Sequence, residues 1–477
     1  MKTSLLKGII YGQRQIIREA KIIPREYSFD PNFNYVLVGL RRAGKSTLLY
    51  KVAQDLVKNG VDWDQIIYVN FEDERLLDFT VNDFNDIVLT ANEITPKKHY
   101  YFFDEIQNID GWEYFARRMA DEKQYVYITG SNAKMLSGDI QTHLGGRYMI
   151  KYIAPFNFRE YLTAKNIRHD EEALYTTALN GQIRGAMNAY LKDGGLPETI
   201  NAIEKRDYLN NIYNNVLLRD VVYKNGVRSP EVLRNLIKKL SESVMQDVTY
   251  NRLAKLLTQI GHRENEKKVS PETIIDYLDY AKEAYLIFDI ENYVARFAER
   301  KASPKYYFTD NGILNLFLFD KNATLLENVV AIVLHNKYKD DVYFLKSAKT
   351  KIDIDFYLPE HSKAIQVTWE LSETDKKREI GNLVKLHQTN PEIKDLIIVT
   401  AEDEDEIQDV PKPIINTDMN VNDFDQKKLE IAAIKRLNNN QVDNNISKYP
   451  TSNLISMKES DASKIVDHFF TQNLKHN

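Results

Sequence analysis

The chain has 477 residues, 43% hydrophobic and 28% charged, the make-up of a globular protein of about two to four domains. Lys and Arg number 64 against 69 Asp and Glu, a formal charge of −5, which excludes nucleic-acid coating through overall basicity and leaves only a local patch for such contact. Cysteine is absent, so disulfides, thiolate zinc sites and a cysteine nucleophile are excluded, in keeping with a reducing cytoplasm.

Residues 1–30 read as an irregular or helical lead-in without a signal-peptide pattern. No apolar run approaches the roughly 20 residues that span a bilayer, so no membrane partner and a cytoplasmic location are expected. Tyr35-Val36-Leu37-Val38 is a short apolar strand ending at Gly39, and Ser46 to Leu56 reads as an amphipathic helix. Ile66–Phe71, Tyr100–Phe103 and Tyr125–Thr129 read as further buried strands, with helical stretches between them. This alternation predicts an α/β fold with a mostly parallel sheet and helices on both faces. From Pro155 to 225 the chain reads as helices, broken at Lys192-Asp193-Gly194-Gly195-Leu196-Pro197. Short amphipathic helices fill 230–290, and strands alternate with helices again over 301–420. Glu402 to Glu406 reads as a solvated acidic loop, and the Asn-, Gln- and Lys-rich tail as a helix followed by weakly ordered sequence.

The residues with the clearest chemistry are Gly39-Leu40-Arg41-Arg42-Ala43-Gly44-Lys45-Ser46. A strand precedes this glycine-rich loop and a helix follows it, the setting of a phosphate cradle. Glycines let backbone N–H groups turn toward phosphates, and the helix N-terminus adds partial positive charge. The expected binding set is Gly39, Ala43, Gly44, Lys45, Ser46 and Thr47, with Lys45 on the β- and γ-phosphates and Ser46 on Mg²⁺. Arg41 and Arg42 either help to hold phosphate or face solvent. The strand Tyr100–Phe103 delivers Asp104 and Glu105 at its C-terminal end, where ligands bind in open α/β sheets. Asp104 is expected on Mg²⁺ and Glu105 as the base that polarises water. After Thr129, Asn132 is the choice for orienting that water and Ser131 the alternative, while a helix-capping Asn is the plainer reading. Arg147, after Gly145-Gly146, would stabilise γ-phosphate in cis or in a neighbouring subunit, or form a structural ion pair.

With these residues in view, the chain resembles AAA-superfamily ATPases related to archaeal-type ATPases that carry a C-terminal domain of unknown function. The resemblance rests on Gly39–Leu49, Phe103-Asp104-Glu105-Ile106-Gln107, Thr129–Asn132, Leu144–Arg147, Pro155–Leu162, Gly194–Glu198, Leu217–Val222 and Lys305–Gly312. It spans nearly the whole chain except residues 1–30 and about 425–477. It implies ATP and Mg²⁺ as cofactors, with hydrolysis by Lys45, Ser46, Asp104 and Glu105. The organisation it implies is a lead-in over 1–30, a P-loop AAA ATPase core over 31–155 and a helical lid over 156–225. A winged-helix-like module over 226–300, a smaller α/β restriction-endonuclease-like domain over 301–420 and a tail over 421–477 would follow.

Two expectations concern the later modules. Asn251–Leu257 and Val269–Leu278 resemble two helices of a winged helix-turn-helix, with His262, Arg263, Lys267 and Lys268 between them. Residues 250–278 would therefore meet DNA phosphates, unless they serve packing or a protein partner. A nuclease of the restriction-endonuclease fold needs a metal-binding acid on one strand, then a second acid or amide and a lysine on the next. Asp353 and Asp355 supply acids, Glu327 a helical carboxylate and Gln366 an amide, but Thr368 stands where lysine is expected. The expectation is a degenerate nuclease fold used for binding. The whole reads as an ATP-driven switch that positions these modules on DNA or protein, with a homo-oligomer as a further partner. The alternatives are a non-hydrolysing ATP-binding interaction protein and an ATP-gated metal nuclease.

Overall fold

The strand β1 (Asn34–Val38) is buried along its whole length, because it lies inside a sheet covered on both faces. Its side chains alternate between two cores: Val36 and Val38 pack with residues of one face, and Tyr35 and Leu37 with the other. In this computed structural model the described residues are 2–136, 138–260, 268–293, 300, 303–319, 321–401, 406–411, 435–436 and 451–456. They form two units. The first comprises Met1–Pro155, Asn215–Gly226 and Tyr280–Leu286, and the second Phe156–Asn214, Val227–Asp279 and the chain from Ile287 onward. The expected phosphate-facing His262, Arg263 and Lys267, the acidic run at 402–405 and most of the tail lie outside the described residues.

In the first unit, β2 (Ile66–Asn70), β3 (Tyr100–Asp104), β4 (Tyr125–Gly130) and β5 (Tyr148–Tyr152) join β1 in the order β2-β3-β4-β1-β5. Every pairing in this sheet is parallel, so all strand C-termini share one edge. The loop after β1 and the acids after β3 are thereby brought to the same side. The strand β5 was not legible in the sequence. It is an edge strand with Met149 and Ile150 exposed, so its composition lacks the signature of a buried strand. The helix α1 (Thr3–Glu19) is packed rather than loose, burying Leu6, Ile9, Ile10 and Ile17. Its buried Arg14 donates from Nε to the Ile66 carbonyl and from Nη2 to the Asp64 carbonyl, each at 2.9 Å. That contact covers the open edge at β2. The helix α2 (Lys45–Lys58) follows the loop after β1 and buries Leu48, Leu49 and Val52.

In the second unit, β6 (Ile287–Asn292) pairs antiparallel with β7 (Lys305–Phe308). The strands β8 (Tyr343–Ser347), β9 (Ile352–Leu358) and β10 (Lys363–Val367) pair antiparallel in turn, and β10 pairs parallel with β11 (Asp395–Val399). The described pieces of the tail, Lys435–Arg436 and Thr451–Ser456, are strands, and the rest of the stretch expected as a helix lies outside the described residues. Leu454 and Ile455 pair with Leu396 and Ile397 of β11, so sheet pairing prevails over local propensity. No helix among the described residues is long and apolar enough to cross a membrane.

Two distant motifs of this unit meet in a buried polar knot. Asp310 accepts from the Gly195 N–H at 2.8 Å and from the Ile313 N–H at 3.2 Å. Asn311 donates to the Leu191 carbonyl at 2.9 Å. A Cβ on Gly195 would lie 2.1 Å from the Phe156 carbonyl oxygen, so only glycine fits there. Gly195→Ala should destabilise this unit by about 1–3 kcal/mol, measured as a lowered denaturation midpoint. An unchanged midpoint would mean that the knot tolerates a shift of backbone.

Candidate functional site

The chain leaves β1 at Val38 and enters α2 through Gly39–Gly44. Gly39 has φ 147°, and a Cβ there would lie 2.2 Å from the Ile153 carbonyl oxygen. Gly44 stands left-handed at φ 95° directly before the helix. The buried Ala43 presents its carbonyl to Arg25, which also donates to the carbonyls of Ala154 and Pro155. Lys45 is buried and donates from Nζ to the carbonyls of Gly39 and Leu40, each at 3.1 Å. Ser46 lies in the first turn of the helix, and Thr47 is exposed beside it.

Asp104, at the end of β3, is buried among three hydroxyl groups. Ser46 donates to it at 3.1 Å, Tyr68 at 2.7 Å, and Thr129 closes the set. Glu105 is left-handed at φ 52°, a strained position for a side-chain-bearing residue that its surroundings must hold. The Thr129 hydroxyl accepts from its N–H at 2.9 Å. Its carboxylate receives Ser131 at 3.0 Å and Gln107 at 2.5 Å, with the Lys45 ammonium 3.9 Å away.

Burial and the neighbouring Glu105 charge push the Asp104 carboxyl above its ordinary range. Burial also acts upward on Glu105, but Lys45 and its hydrogen bonds outweigh it, so Glu105 is held low and remains a carboxylate. Burial lowers the Lys45 ammonium. The donor set fits a nucleoside triphosphate with Mg²⁺. A hydroxyl and a carboxylate oxygen already meet at Ser46 and Asp104, and Mg²⁺ takes few protein ligands beside phosphate and water. A buried lysine at a glycine-rich turn supplies charge for phosphate.

Of the other expected residues, Asn132 is buried at the start of the turn Ala133–Leu136. Ser131, the alternative, donates its hydroxyl to Glu105. Arg147 is not brought to this cluster. It precedes β5, so in a parallel sheet it lies at the edge opposite the loop, where its Nε donates to Asp121 at 2.6 Å. Sequence reasoning missed Tyr68 and Thr129. Tyr68 becomes readable only once β2 is known to neighbour β3, in register Tyr68 to Phe102.

A family profile described as an AAA domain matches residues 32–162, and one for a domain of unknown function matches 184–324. An uncharacterized protein of Methanocaldococcus jannaschii is 33% identical over 390 residues, 80% of this chain and 85% of that one. The chain belongs to its family. An uncharacterized protein of Haemophilus influenzae is 31% identical over 368 residues, covering 75% of this AAA-domain protein and 87% of the relative. Among solved structures, the ORC1 protein of Aeropyrum pernix in complex with DNA aligns at 13% identity and a TM-score of 0.27, over 68% of this chain and 93% of that chain. A score that low carries no argument. Residues 32–162 of this chain therefore carry an AAA domain.

The AAA-domain protein has a second buried charged centre, in its other unit. Lys305 of β7 extends its ammonium to Asp355 at 3.2 Å and Glu327 at 3.7 Å. Tyr307 donates to Glu327 at 2.8 Å. Gln366 accepts from the Asp355 N–H at 2.7 Å and donates to Glu379 at 2.5 Å. Thr368 turns its hydroxyl to the Glu370 carbonyl. The lysine at this centre comes from β7, a strand well upstream, which linear spacing could not reveal. Among the described residues, no group of three or more His, Asp or Glu is arranged to hold a metal. Burial and the Asp355 charge push Glu327 up to about 8, against the pull of Lys305. The folded state thus keeps a proton that the unfolded chain releases near the ordinary carboxyl value of 4.5. Stability should fall as pH rises across that window. Glu327→Gln should flatten this fall, measured by denaturation at a series of pH values. An equally steep fall in the variant would place its origin elsewhere.

Proposed function

We propose that this AAA-domain protein binds ATP with Mg²⁺ in the loop Gly39–Ser46 and hydrolyses it, using the cycle as a switch that positions its C-terminal modules on a partner. The convergence of Lys45, Ser46, Asp104 and Glu105 at one sheet edge carries this reading. Mg²⁺, when bound, neutralises phosphate charge. Lys45 adds a positive charge to the cradle, and the loop N–H groups orient the phosphates. Ser46 and Asp104 offer metal-binding oxygens. Glu105, kept ionised by Lys45, accepts a proton from water, and Ser131 and Gln107 hold its carboxylate in place. Arg147, on the far edge, serves a neighbouring copy in this reading.

Lys45→Ala should weaken ATP binding by roughly 10–100-fold. Glu105→Gln should keep binding and lower phosphate release by roughly 10²–10⁴-fold. Release from Glu105→Gln at the parent rate would remove Glu105 as the base and favour a protein that holds ATP without turning it over. Arg147→Ala should lower release, and specific activity should rise with protein concentration. A concentration-independent rate unaffected by this substitution would sink the neighbouring-copy role.

For the downstream modules, the helices Pro230–Glu242, Tyr250–Ile260 and Pro271–Glu283 followed by the β6–β7 pair support a winged-helix-like module. A helix (Asn322–Tyr338), β8, β9 and β10, a second helix (Glu373–Thr389) and then β11 support a restriction-endonuclease-like fold. Lys305 is paired with Asp355 and Glu327 inside this centre, which favours a binding role over metal-dependent cleavage. The helix Tyr250–Ile260 exposes Arg252 and Lys255, but Pro271–Glu283 exposes Glu272, Asp276 and Asp279. Those acids oppose phosphate, so a protein partner is favoured over DNA. Duplex DNA should bind weakly and without steep salt dependence. Tight binding that falls by orders of magnitude as salt rises would reverse that preference.

A further inference from the structure

The loop carries a second cation with an unusual partner. Arg41 donates from Nε to Asp220 at 2.8 Å and from Nη2 to its other oxygen at 3.2 Å, while Nη1 meets Glu72 at 3.2 Å. Asp220 is 1% exposed. It lies on a π-helical turn, Val216–Tyr223, a geometry rare in proteins and frequent at functional sites. Arg219 of the same turn also reaches Glu72, at 3.3 Å. The segment Asn215–Gly226 belongs to the first unit, whereas the chain on either side of it belongs to the second. The side chain that leaves the phosphate loop thus grips a segment whose two ends both lead into the downstream modules.

We propose that Arg41 is a second phosphate-binding cation and that Asp220 competes for it, so that nucleotide draws Arg41 away and loosens the turn Val216–Tyr223. This rests on the nucleotide reading of the loop. Three points support it. Arg41 belongs to the loop itself and follows Leu40, whose carbonyl takes the Lys45 ammonium at 3.1 Å, so it stands beside the cradle. A triphosphate offers more negative charge than one carboxylate, and a guanidinium binds either in the same forked manner. Asp220 would not be left as a bare buried charge, because Lys224 lies 3.5 Å from it on the same turn. An unpaired buried carboxylate would forbid the exchange, and this second cation permits it. Coupling of this kind is reciprocal: what loosens the turn on binding also weakens binding while the turn is held.

The test uses the full chain and adenylyl-imidodiphosphate with Mg²⁺ as probe. Asp220→Asn should bind the probe roughly tenfold more tightly than the parent. In an Arg41→Gln background the same substitution should leave affinity unchanged, since the competition is then gone. In the parent, amide exchange over 216–224 should quicken when the probe is added. Equal or weaker binding by Asp220→Asn would overturn the competition and make Asp220 a positioning residue for Arg41. Unchanged exchange in the parent would overturn it independently, even if the variant failed to fold. A parent that binds the probe no better than Lys45→Ala would remove the nucleotide reading and this inference with it. Normal parent affinity with no Asp220→Asn effect would remove the competition alone.

Discussion

The first unit depends on a buried carboxylate at the end of a buried strand. Asp104 cannot be left bare in an apolar sheet, because an unpartnered charge there costs several kcal/mol. Ser46, Tyr68 and Thr129 surround it, and each arrives from a different element. Ser46 lies in the first turn of α2, Tyr68 sits on β2 and Thr129 on β4. Satisfying one acid therefore fixes the loop, the strand order and the end of β4 against each other. The row of rings Tyr68, Phe102, Tyr127 and Tyr35 crosses the same four strands in register. Its stacked neighbours hold the Tyr68 hydroxyl at the height of Asp104.

The two units treat a buried lysine beside two carboxylates in opposite ways. Lys45 points at loop carbonyls and stays 3.9 Å from Glu105, an arrangement with room for an anion to become the better partner. Lys305 lies between Asp355 and Glu327 with Tyr307 behind them. That centre commits its lysine to its own two acids, and one Glu327 oxygen is left without a hydrogen-bond partner. The contrast supports the proposal of chemistry in the first unit and of binding in the second.

The chain passes between the units several times, and the segment Asn215–Gly226 is the passage tied to the phosphate loop. Arg41 and Asp220 are far apart in sequence, yet they form a forked ion pair. A switch needs an element with two arrangements that a ligand can bias. In the proposed competition for Arg41, the π-helical segment bearing Asp220 is that element.

Much of the first unit was readable from local pattern. An apolar strand, a glycine-rich turn and an amphipathic helix are dictated by neighbouring residues, and so is the acid pair after Tyr100–Phe103. The edge strand β5 was not, since an exposed edge lacks a continuous apolar signature. The packing of α1 was also hidden, because Arg14 reads as a surface residue until the Ile66 carbonyl receives it. Sequence alone determined the residue types proposed for phosphate and metal, because that chemistry needs glycine, lysine, hydroxyl and carboxylate at short spacing. Tertiary structure decided which residues join them. It chose Ser131 for the Glu105 carboxylate, set Arg147 on the opposite edge, and brought Asp220 to Arg41 and Lys305 to Asp355. Those pairings depend on strand order and long chain returns, and desolvated charges find their partners only in the folded core.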